Sequence, residues 1–243
     1  MGLAGLVLNG CNEPETVHAA QIAVAANFKP VLDQLEPQFE TLTGHTLTIT
    51  SGSTGKLYGQ IINGAPFDVF LAADEARPDR LVADGYAEAG DRFTYATGRL
   101  VLLGLGPDDP GKRLQDLDFS RLAMANPELA PYGLAARQVL TALGLGDLPA
   151  GKVALGESVG QAFAFLATGN ADIGFIANAQ LSMLPEDREW SSWPVPAALH
   201  DPIRQDGVLL SRGRDNAAAR AFVDFIKGEQ ARALIAASGF SVE

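Results

Sequence analysis

Short apolar runs of strand length alternate with helical patterns along almost the whole chain, and this alternation constrains the fold more than any other feature. The runs predicted as strands are residues 22–26, 47–50, 67–72, 100–105, 122–125, 153–155, 172–176 and 208–211. The helical patterns cover residues 28–42, 57–62, 79–84, 134–143, 159–166 and 217–237. Strands separated by helices in this way predict an α/β protein with mainly parallel sheets. With 243 residues, 47% of them hydrophobic, the chain has ample material for packed cores.

Glycine and polar residues directly precede two of the apolar strands, at 97–99 and 204–207. We interpret these as two hinge crossovers between lobes. The expected division is a first lobe of residues 20–97 plus 208–243 and a second lobe of residues 98–207. Each lobe is then a mainly parallel sheet flanked by helices.

Residues 1–19 lie outside these lobes and are predicted to be a leader or a disordered tail. Residues 3–8 are apolar, and residues 17–19 resemble the small-residue pattern before a signal-peptidase cut, although a basic n-region is missing. Residues 8–11 alternatively resemble a lipobox, which would make Cys11 a lipid-attachment site. A secreted leader, a lipid anchor and a disordered tail therefore stay open as alternatives.

The negative net charge and the small number of cysteine and histidine residues argue against several classes of function. The formal net charge is −11 and no cluster of lysine or arginine is present, which argues against nucleic acid or an anionic membrane as a partner. Cys11 is the only cysteine, and the three histidines have no metal-ligand spacing, so we expect no metal cofactor. Because the protein is negatively charged overall, local donor groups would have to hold an anionic ligand.

Residues 22–28 are the most informative local segment, because a buried strand here turns directly into an amphipathic helix that Gly44 is expected to stop. Asn27 is predicted to be the N-cap of that helix. The N–H groups of a first helical turn lack intrahelical partners and lie at the positive end of the helix dipole, so they can hold an oxyanion. The same pattern also suits an ordinary strand-to-helix turn.

Four further turns of this kind offer small neutral donors, at residues 51–56, 131–133, 157–160 and 177–178. Ligands of open α/β sheets bind outside the carboxyl ends of the strands, where such turns converge. The segment 51–56 is not a nucleotide-binding P-loop, because two residues separate its glycines and a leucine follows its lysine. The hydroxyls of Ser53 and Thr54, with nearby backbone N–H groups, could instead form a neutral anion nest, although Ser53 also suits a simple helix cap.

Together these segments resemble one family. The motifs, in chain order, are AANF at 25–28, GSTGKLY at 52–58, GAPFDVFLAAD at 64–74, PYG at 131–133, GESV at 156–159 and GNADIGF at 169–175. Over residues 20–243 the chain resembles the molybdate-binding proteins of bacterial ABC importers. The resemblance implies a two-lobed periplasmic-binding-protein fold that holds an oxyanion between its lobes. It also implies a monomer in the periplasm, with the membrane subunits of an ABC importer as partners.

Carried over position by position, the resemblance implies a set of ligand-binding residues. They are Ala26, Asn27, Ser53, Thr54, Tyr132 and the backbone N–H of Val159. Some members of the family carry a tyrosine after the strand at 173–176, where this chain has Ala177. The resemblance implies that Tyr132 supplies the missing hydroxyl from the opposite side of the cleft, the alternative being a tyrosine that only packs over its mouth.

The chemistry of these turns agrees with an oxyanion that carries no proton. Molybdate, tungstate and sulfate are fully ionised near neutral pH and need only donors, whereas phosphate keeps a proton that an acceptor carboxylate can recognise. The turns offer no obvious inward aspartate. We therefore expect capture of molybdate or tungstate without a cofactor, with sulfate or another small oxyanion as the alternative.

Two other classes of function find less support in the sequence. A hydrolase would need Ser53 or Ser158 as nucleophile with His45 or His200 as base, but neither serine lies in a nucleophile elbow. An effector-sensing domain of a regulator would carry a helix-turn-helix or a basic region, and neither pattern is present. We therefore expect that this protein is not an enzyme.

Overall fold

The structure is a computed structural model that describes residues 18–149 and 151–242. Cys11 and nearly all of the predicted leader or tail lie outside the described residues, while Ala19, assigned to that tail, begins the first strand. Within the described part, no helix has both the length and the apolar character needed to cross a membrane.

The described residues form ten strands and eight α-helices. The strands are β1 Ala19–Ala25, β2 Thr46–Gly52, β3 Val69–Leu71, β4 Arg92–Gly98, β5 Leu100–Leu105, β6 Leu122–Ala125, β7 Val153–Gly156, β8 Ile173–Ala177, β9 Trp190–Pro194 and β10 Ile203–Leu209. The helices are α1 Lys29–Thr43, α2 Thr54–Ile62, α3 Ala76–Ala83, α4 Pro110–Gln115, α5 Pro131–Ala142, α6 Val159–Ala167, α7 Ala217–Lys227 and α8 Glu229–Ala237.

Two five-stranded sheets organise these elements, in the orders β2-β1-β3-β10-β4 and β7-β6-β8-β5-β9. The sheets are mixed rather than mainly parallel. In each sheet, two neighbouring pairs are parallel and two are antiparallel. The sequence pattern did not predict β4 and β9, because their polar residues interrupt any apolar run. Both are edge strands, which need less apolar surface than a central strand.

Helices cover both faces of each sheet. Along β1 the side chains of Ile22 and Val24 enter a cluster with α1, α7 and α8, while Ala23 enters a cluster with α2 and α3. This is the twofold alternation of a strand buried on both sides. The end of α1 is where the sequence predicted it, because Gly44 adopts a left-handed φ of 70° and closes the helix.

The chain passes between the sheets twice. The first passage is the single residue between β4 and β5, and the second is residues 195–202, between β9 and β10. Residues 203–207, which the sequence analysis assigned to the second lobe, pair in the first sheet as part of β10. The misassignment arose because Gln205 and Asp206 interrupt the apolar pattern of β10, although both side chains are buried.

Candidate functional site

Three helices begin at the carboxyl ends of parallel strands, on the side where the two sheets face each other. They are α2, α5 and α6, which follow β2, β6 and β7. The Gly55 N–H donates to the Leu129 carbonyl at 2.9 Å, which joins the first turn of α2 to the loop before α5. Lys56 Nζ lies 2.5 Å from Glu157 Oε2, which joins α2 to the loop before α6. The structure therefore brings the predicted turns of both lobes together.

Asn27 lies buried in the turn between β1 and α1. Its side-chain Nδ2 donates to Gln205 Oε1 at 2.9 Å. The prediction that Asn27 is the N-cap of α1 is wrong, because Phe28 takes that position and makes no side-chain capping bond. The carboxamide of Asn27 binds a partner on β10 instead of the first helical turn. Among the described residues nothing accepts from its backbone N–H, which can therefore donate to a ligand.

Ser53 and Thr54 lie side by side at the start of α2, and both are buried. Ser53 Oγ accepts from the Lys56 N–H at 3.4 Å, so Ser53 is the helix cap that the sequence offered as an alternative. Thr54 Oγ1 accepts from the Ala73 N–H at 3.1 Å. A hydroxyl that accepts a hydrogen bond keeps its own hydrogen for donation. Both side chains can therefore cap or brace the loop and donate to an anion together.

Tyr132 is in the first turn of α5, in the second lobe, and its side chain is buried. Its hydroxyl accepts from Gln205 Nε2 at 3.3 Å. Burial raises the pKa of Tyr132, and hydrogen bonds from Gln205 and Asn27 lower it by less. The hydroxyl therefore stays neutral, and it can donate a hydrogen to an oxyanion without charge repulsion. Tyr132 is therefore buried, and its hydroxyl is hydrogen-bonded to a residue of the first sheet.

Val159 is the first residue of α6, and Ser158 caps that helix by accepting from the Gln161 N–H at 3.3 Å. In the part of the chain that the structure describes, no group accepts from the Val159 N–H. Ala177, where a tyrosine could have supplied a hydroxyl, is fully buried and its N–H donates to Gln180 Oε1. Ala177 therefore offers no donor to the cleft.

Ala26 differs from the other predicted ligand positions. Its backbone N–H already donates to the Gly52 carbonyl at 2.9 Å, and its side chain has no polar atom. A Cβ built on Gly160 of α6 would lie 3.3 Å from Ala26 Cβ. Ala26 is consequently an apolar wall residue at the contact between the lobes, and it has no donor left for a ligand.

Gln205 and Tyr95 are two residues of this site that the sequence analysis missed. Gln205 is fully buried on β10, and its Oε1 lies 3.1 Å from the Tyr95 hydroxyl. That hydroxyl also lies 2.8 Å from the Ala72 carbonyl, and burial raises the pKa of Tyr95 well above its usual value. A glutamine inside an apolar strand pattern was the available signal, but it was interpreted as part of a hinge.

The site is lined with neutral donors. Lys56, a cation in the first turn of α2, forms an ion pair with Glu157, and 45% of its side chain is exposed. Residues 18–149 and 151–242 contain no group of three or more histidine, cysteine or acidic side chains that could hold a metal ion. What the arrangement can do chemically is to surround a fully ionised anion with N–H and O–H groups.

The residues considered for a hydrolase do not form a catalytic set. His45 directly precedes β2 and Ser53 directly follows it, so the eight extended steps along this strand separate them by roughly 26 Å. The His200 ring nitrogen Nδ1 lies 2.6 Å from the Asp201 carbonyl oxygen. Ser158 serves as the cap of α6.

Comparisons with known proteins show which family this chain resembles. A family model described as bacterial extracellular solute-binding protein matches residues 20–241. The molybdate-binding protein ModA of Azotobacter vinelandii is 47% identical over 226 residues, which are 92% of this chain and 90% of that protein. ModA of Rhodobacter capsulatus is 44% identical over 224 residues, which are 91% of this chain and 87% of that protein.

The solved structure of the Azotobacter vinelandii periplasmic molybdate-binding protein matches with a TM-score of 0.85 and 42% identity, covering 92% of this chain and 99% of that one. This match confirms the two-lobed fold predicted from the sequence. The family and these relatives are solute-binding proteins and not enzymes, as the sequence analysis expected. The chain belongs to the family of bacterial extracellular solute-binding proteins.

Proposed function

We propose that this protein captures molybdate or tungstate between its two lobes and delivers the anion to the membrane subunits of an ABC importer. What supports the proposal is that buried, uncharged donors belong to turns of both lobes, and that these turns are joined by the bonds of Gly55 to Leu129 and Gln205 to Tyr132 and by the ion pair of Lys56 with Glu157. The donors are the backbone N–H groups of Asn27 and Val159 and the hydroxyls of Ser53, Thr54 and Tyr132. The identity to two molybdate-binding proteins supports the choice of ligand.

The donor set suits a dianion that carries no proton. Each proposed donor is neutral, and two of them belong to the first turns of α2 and α6, where the helix dipole favours negative charge. No cation has to be buried for binding, so the anion can leave once the lobes separate. A protonated phosphate would need an acceptor, which none of these donor groups supplies in the proposed role.

Sulfate is the second candidate ligand, because it uses the same donors. Its oxygen-to-oxygen span is slightly shorter than that of molybdate, so the fine placement of the backbone decides between them. Isothermal titration calorimetry with molybdate, tungstate, sulfate and phosphate tests the proposal. We expect submicromolar binding of molybdate and tungstate, whereas submicromolar binding of sulfate with none of molybdate would refute the choice of ligand.

Replacing Thr54 tests the site itself. Thr54→Val removes a hydroxyl with almost no change of volume, and we expect it to weaken molybdate binding about tenfold or more, because it removes a hydrogen bond to a charged group. Thr141→Val is the matched control, since the Thr141 hydroxyl donates to the Arg137 carbonyl on the exposed side of α5. Equal affinities of the two variants would move the binding site away from α2.

Closure of the two lobes around the anion is part of the proposal. The ligand would bridge donors from both lobes, so the closed state alone would make every bond and binding would populate it. The bond from Gly55 to Leu129 and the ion pair of Lys56 with Glu157 join the lobes on either side of the proposed site. Small-angle scattering should therefore give a smaller radius of gyration with saturating molybdate than without it.

The cellular setting that we propose follows the family. We propose that the protein works in the periplasm, as a monomer that docks on its transporter, and the match to a family of extracellular solute-binding proteins supports this setting. The acidic chain, with a net charge of −11, would meet its partner through local complementary charge. We retain lipid attachment at Cys11 as an alternative to a cleaved leader, and mass spectrometry of the mature protein distinguishes them.

A further inference from the structure

Gln205 is the centre of a buried polar network that joins the two lobes behind the proposed site. It lies on β10, the first strand after the chain returns from the second sheet. Its Oε1 is 2.9 Å from Asn27 Nδ2 and 3.1 Å from the Tyr95 hydroxyl. Its Nε2 is 3.3 Å from the hydroxyl of Tyr132 in the other lobe. Its side chain has no exposed surface.

A carboxamide suits this position because it accepts and donates at once. The Gln205 oxygen accepts from Asn27 and shares the single Tyr95 hydroxyl hydrogen with the Ala72 carbonyl, while the amide nitrogen donates to Tyr132. Burying a polar side chain costs free energy unless its groups are paired. The polar atoms of Gln205 are paired with Asn27, which lies 178 positions away in the sequence, and with Tyr132, which lies 73 positions away.

The network also determines where the Tyr132 hydrogen points. The Gln205 amide donates to the Tyr132 oxygen, and the Asn27 carboxamide bonds to the same oxygen, so the hydroxyl hydrogen has to turn away from both side chains. Within the described residues, no protein group accepts that hydrogen. A hydroxyl that accepts a hydrogen bond becomes a better donor through polarisation. The Tyr132 hydrogen is thus oriented and strengthened for a ligand in the cleft.

We propose that Gln205 is a positioning residue for oxyanion binding, which orients the Tyr132 hydroxyl toward the anion without touching the anion itself. The inference rests on the proposed function, because it assigns a role within the same site. It also links the hinge to the site, since Gln205 belongs to the return strand and Tyr132 to the opposite lobe. Separation of the lobes would break this bond and release the orientation.

A double-mutant cycle tests the inference. Calorimetry with molybdate is run on the unchanged protein, Gln205→Met, Tyr132→Phe and the double variant. We expect Gln205→Met to weaken binding about tenfold in the unchanged background, as for loss of one hydrogen bond to a charged group. In the Tyr132→Phe background we expect it to change affinity by no more than about twofold to threefold. Equal losses in both backgrounds, or no loss in either, would overturn the proposal.

Tyr95→Phe is the matched control, because it removes a hydroxyl from the same buried network on the side away from Tyr132. If Gln205 only supported the core, Tyr95→Phe would weaken binding as much as Gln205→Met does. We expect it to stay within about threefold of the unchanged protein. Thermal unfolding without ligand verifies that each variant folds, and Gln205→Leu replaces Gln205→Met in the cycle if that variant does not.

The result for the unchanged protein separates the two proposals. If it binds none of molybdate, tungstate, sulfate and phosphate, the proposed function fails and the role of Gln205 fails with it. If it binds sulfate but not molybdate, the cycle is run with sulfate and still decides the role of Gln205. If it binds molybdate and the cycle shows no coupling, only the role of Gln205 is refuted.

Discussion

Tyr132→Phe is the substitution for which the structure predicts two separate losses. The first is the donor to the anion, a hydrogen bond to a charged group that contributes about 1.5–3 kcal/mol, or roughly 10-fold to 150-fold in affinity. The second is the acceptor for Gln205 Nε2, whose bond of 3.3 Å disappears and leaves a buried N–H without a partner. Such a group costs about 1–3 kcal/mol of folding stability.

The two losses are measured independently. Calorimetry with molybdate gives the loss of affinity, and thermal unfolding without ligand gives the loss of stability, expected to lower Tm by about 2–4 °C per kcal/mol for a chain of this length. Tyr58→Phe is the control, since the Tyr58 side chain is part-buried on α2 and makes no hydrogen bond within the described residues. Unchanged affinity in Tyr132→Phe would refute contact with the anion. Unchanged Tm would refute any net stabilisation by the bond to Gln205.

Four further outcomes follow from the same contacts. Gly98→Ala should weaken molybdate binding, and it should lower the free energy of unfolding by about 1–3 kcal/mol in denaturant titrations. The added Cβ would overlap the Tyr132 hydroxyl and would lie 2.5 Å from Gln205 Nε2, the amide nitrogen that donates to that hydroxyl. Lys56→Met should change the affinity for molybdate by less than about fivefold, because the ion pair of Lys56 with Glu157 is exposed. At high salt the change in affinity should be smaller still. Burial raises the pKa of Tyr95 and Tyr132, so the contribution of these two tyrosines to stability should be constant below about pH 10, their unfolded value, and should fall above it, less steeply in Tyr95→Phe. Burial also raises the pKa of Asp206, so the contribution of its protonated form to stability is present below about pH 4 and is lost as the pH rises. The Tm of Asp206→Asn should therefore rise relative to that of the unchanged protein as the pH increases above about 4.

The parts of the site that the sequence predicted are local in the chain. Ser53 and Thr54 follow a strand directly and begin a helix, so the pattern of apolar spacing and capping residues identifies them within about ten positions. The resemblance to the molybdate-binding family assigned Tyr132 and Val159 as ligand residues, although local pattern marks the turns in which they lie, each in the first turn of its helix. The alternation of strands and helices predicted the α/β class for the same reason. Local periodicity carries this information, and no knowledge of distant contacts is required.

The errors at Asn27 and at β10 involve partners that are distant in sequence. Asn27 was predicted to cap α1, which is the usual role of an asparagine after a strand, but its side chain reaches a residue 178 positions away. The antiparallel pairing of β10 beside β3 is equally invisible to local pattern, because it depends on the route of the chain back from the second sheet. The capping propensity of a residue indicates which nearby groups its side chain can bind, but the tertiary structure determines which group it binds.

The segment 204–207 shows why a buried polar network is hard to predict although its residues stand out in the sequence. Gln205 and Asp206 break an apolar strand pattern, and polar residues at such a position usually indicate a loop or a crossing. They can occupy a central strand only if other elements supply partners, as Asn27 does for Gln205 and Thr94 for Asp206. Their occurrence in a strand is therefore informative only after the pairing is known. An apolar residue at position 205 would avoid the cost of burying an amide, but it would leave Asn27 Nδ2 without its acceptor and the Tyr132 hydroxyl without the donor that, as we propose, orients it.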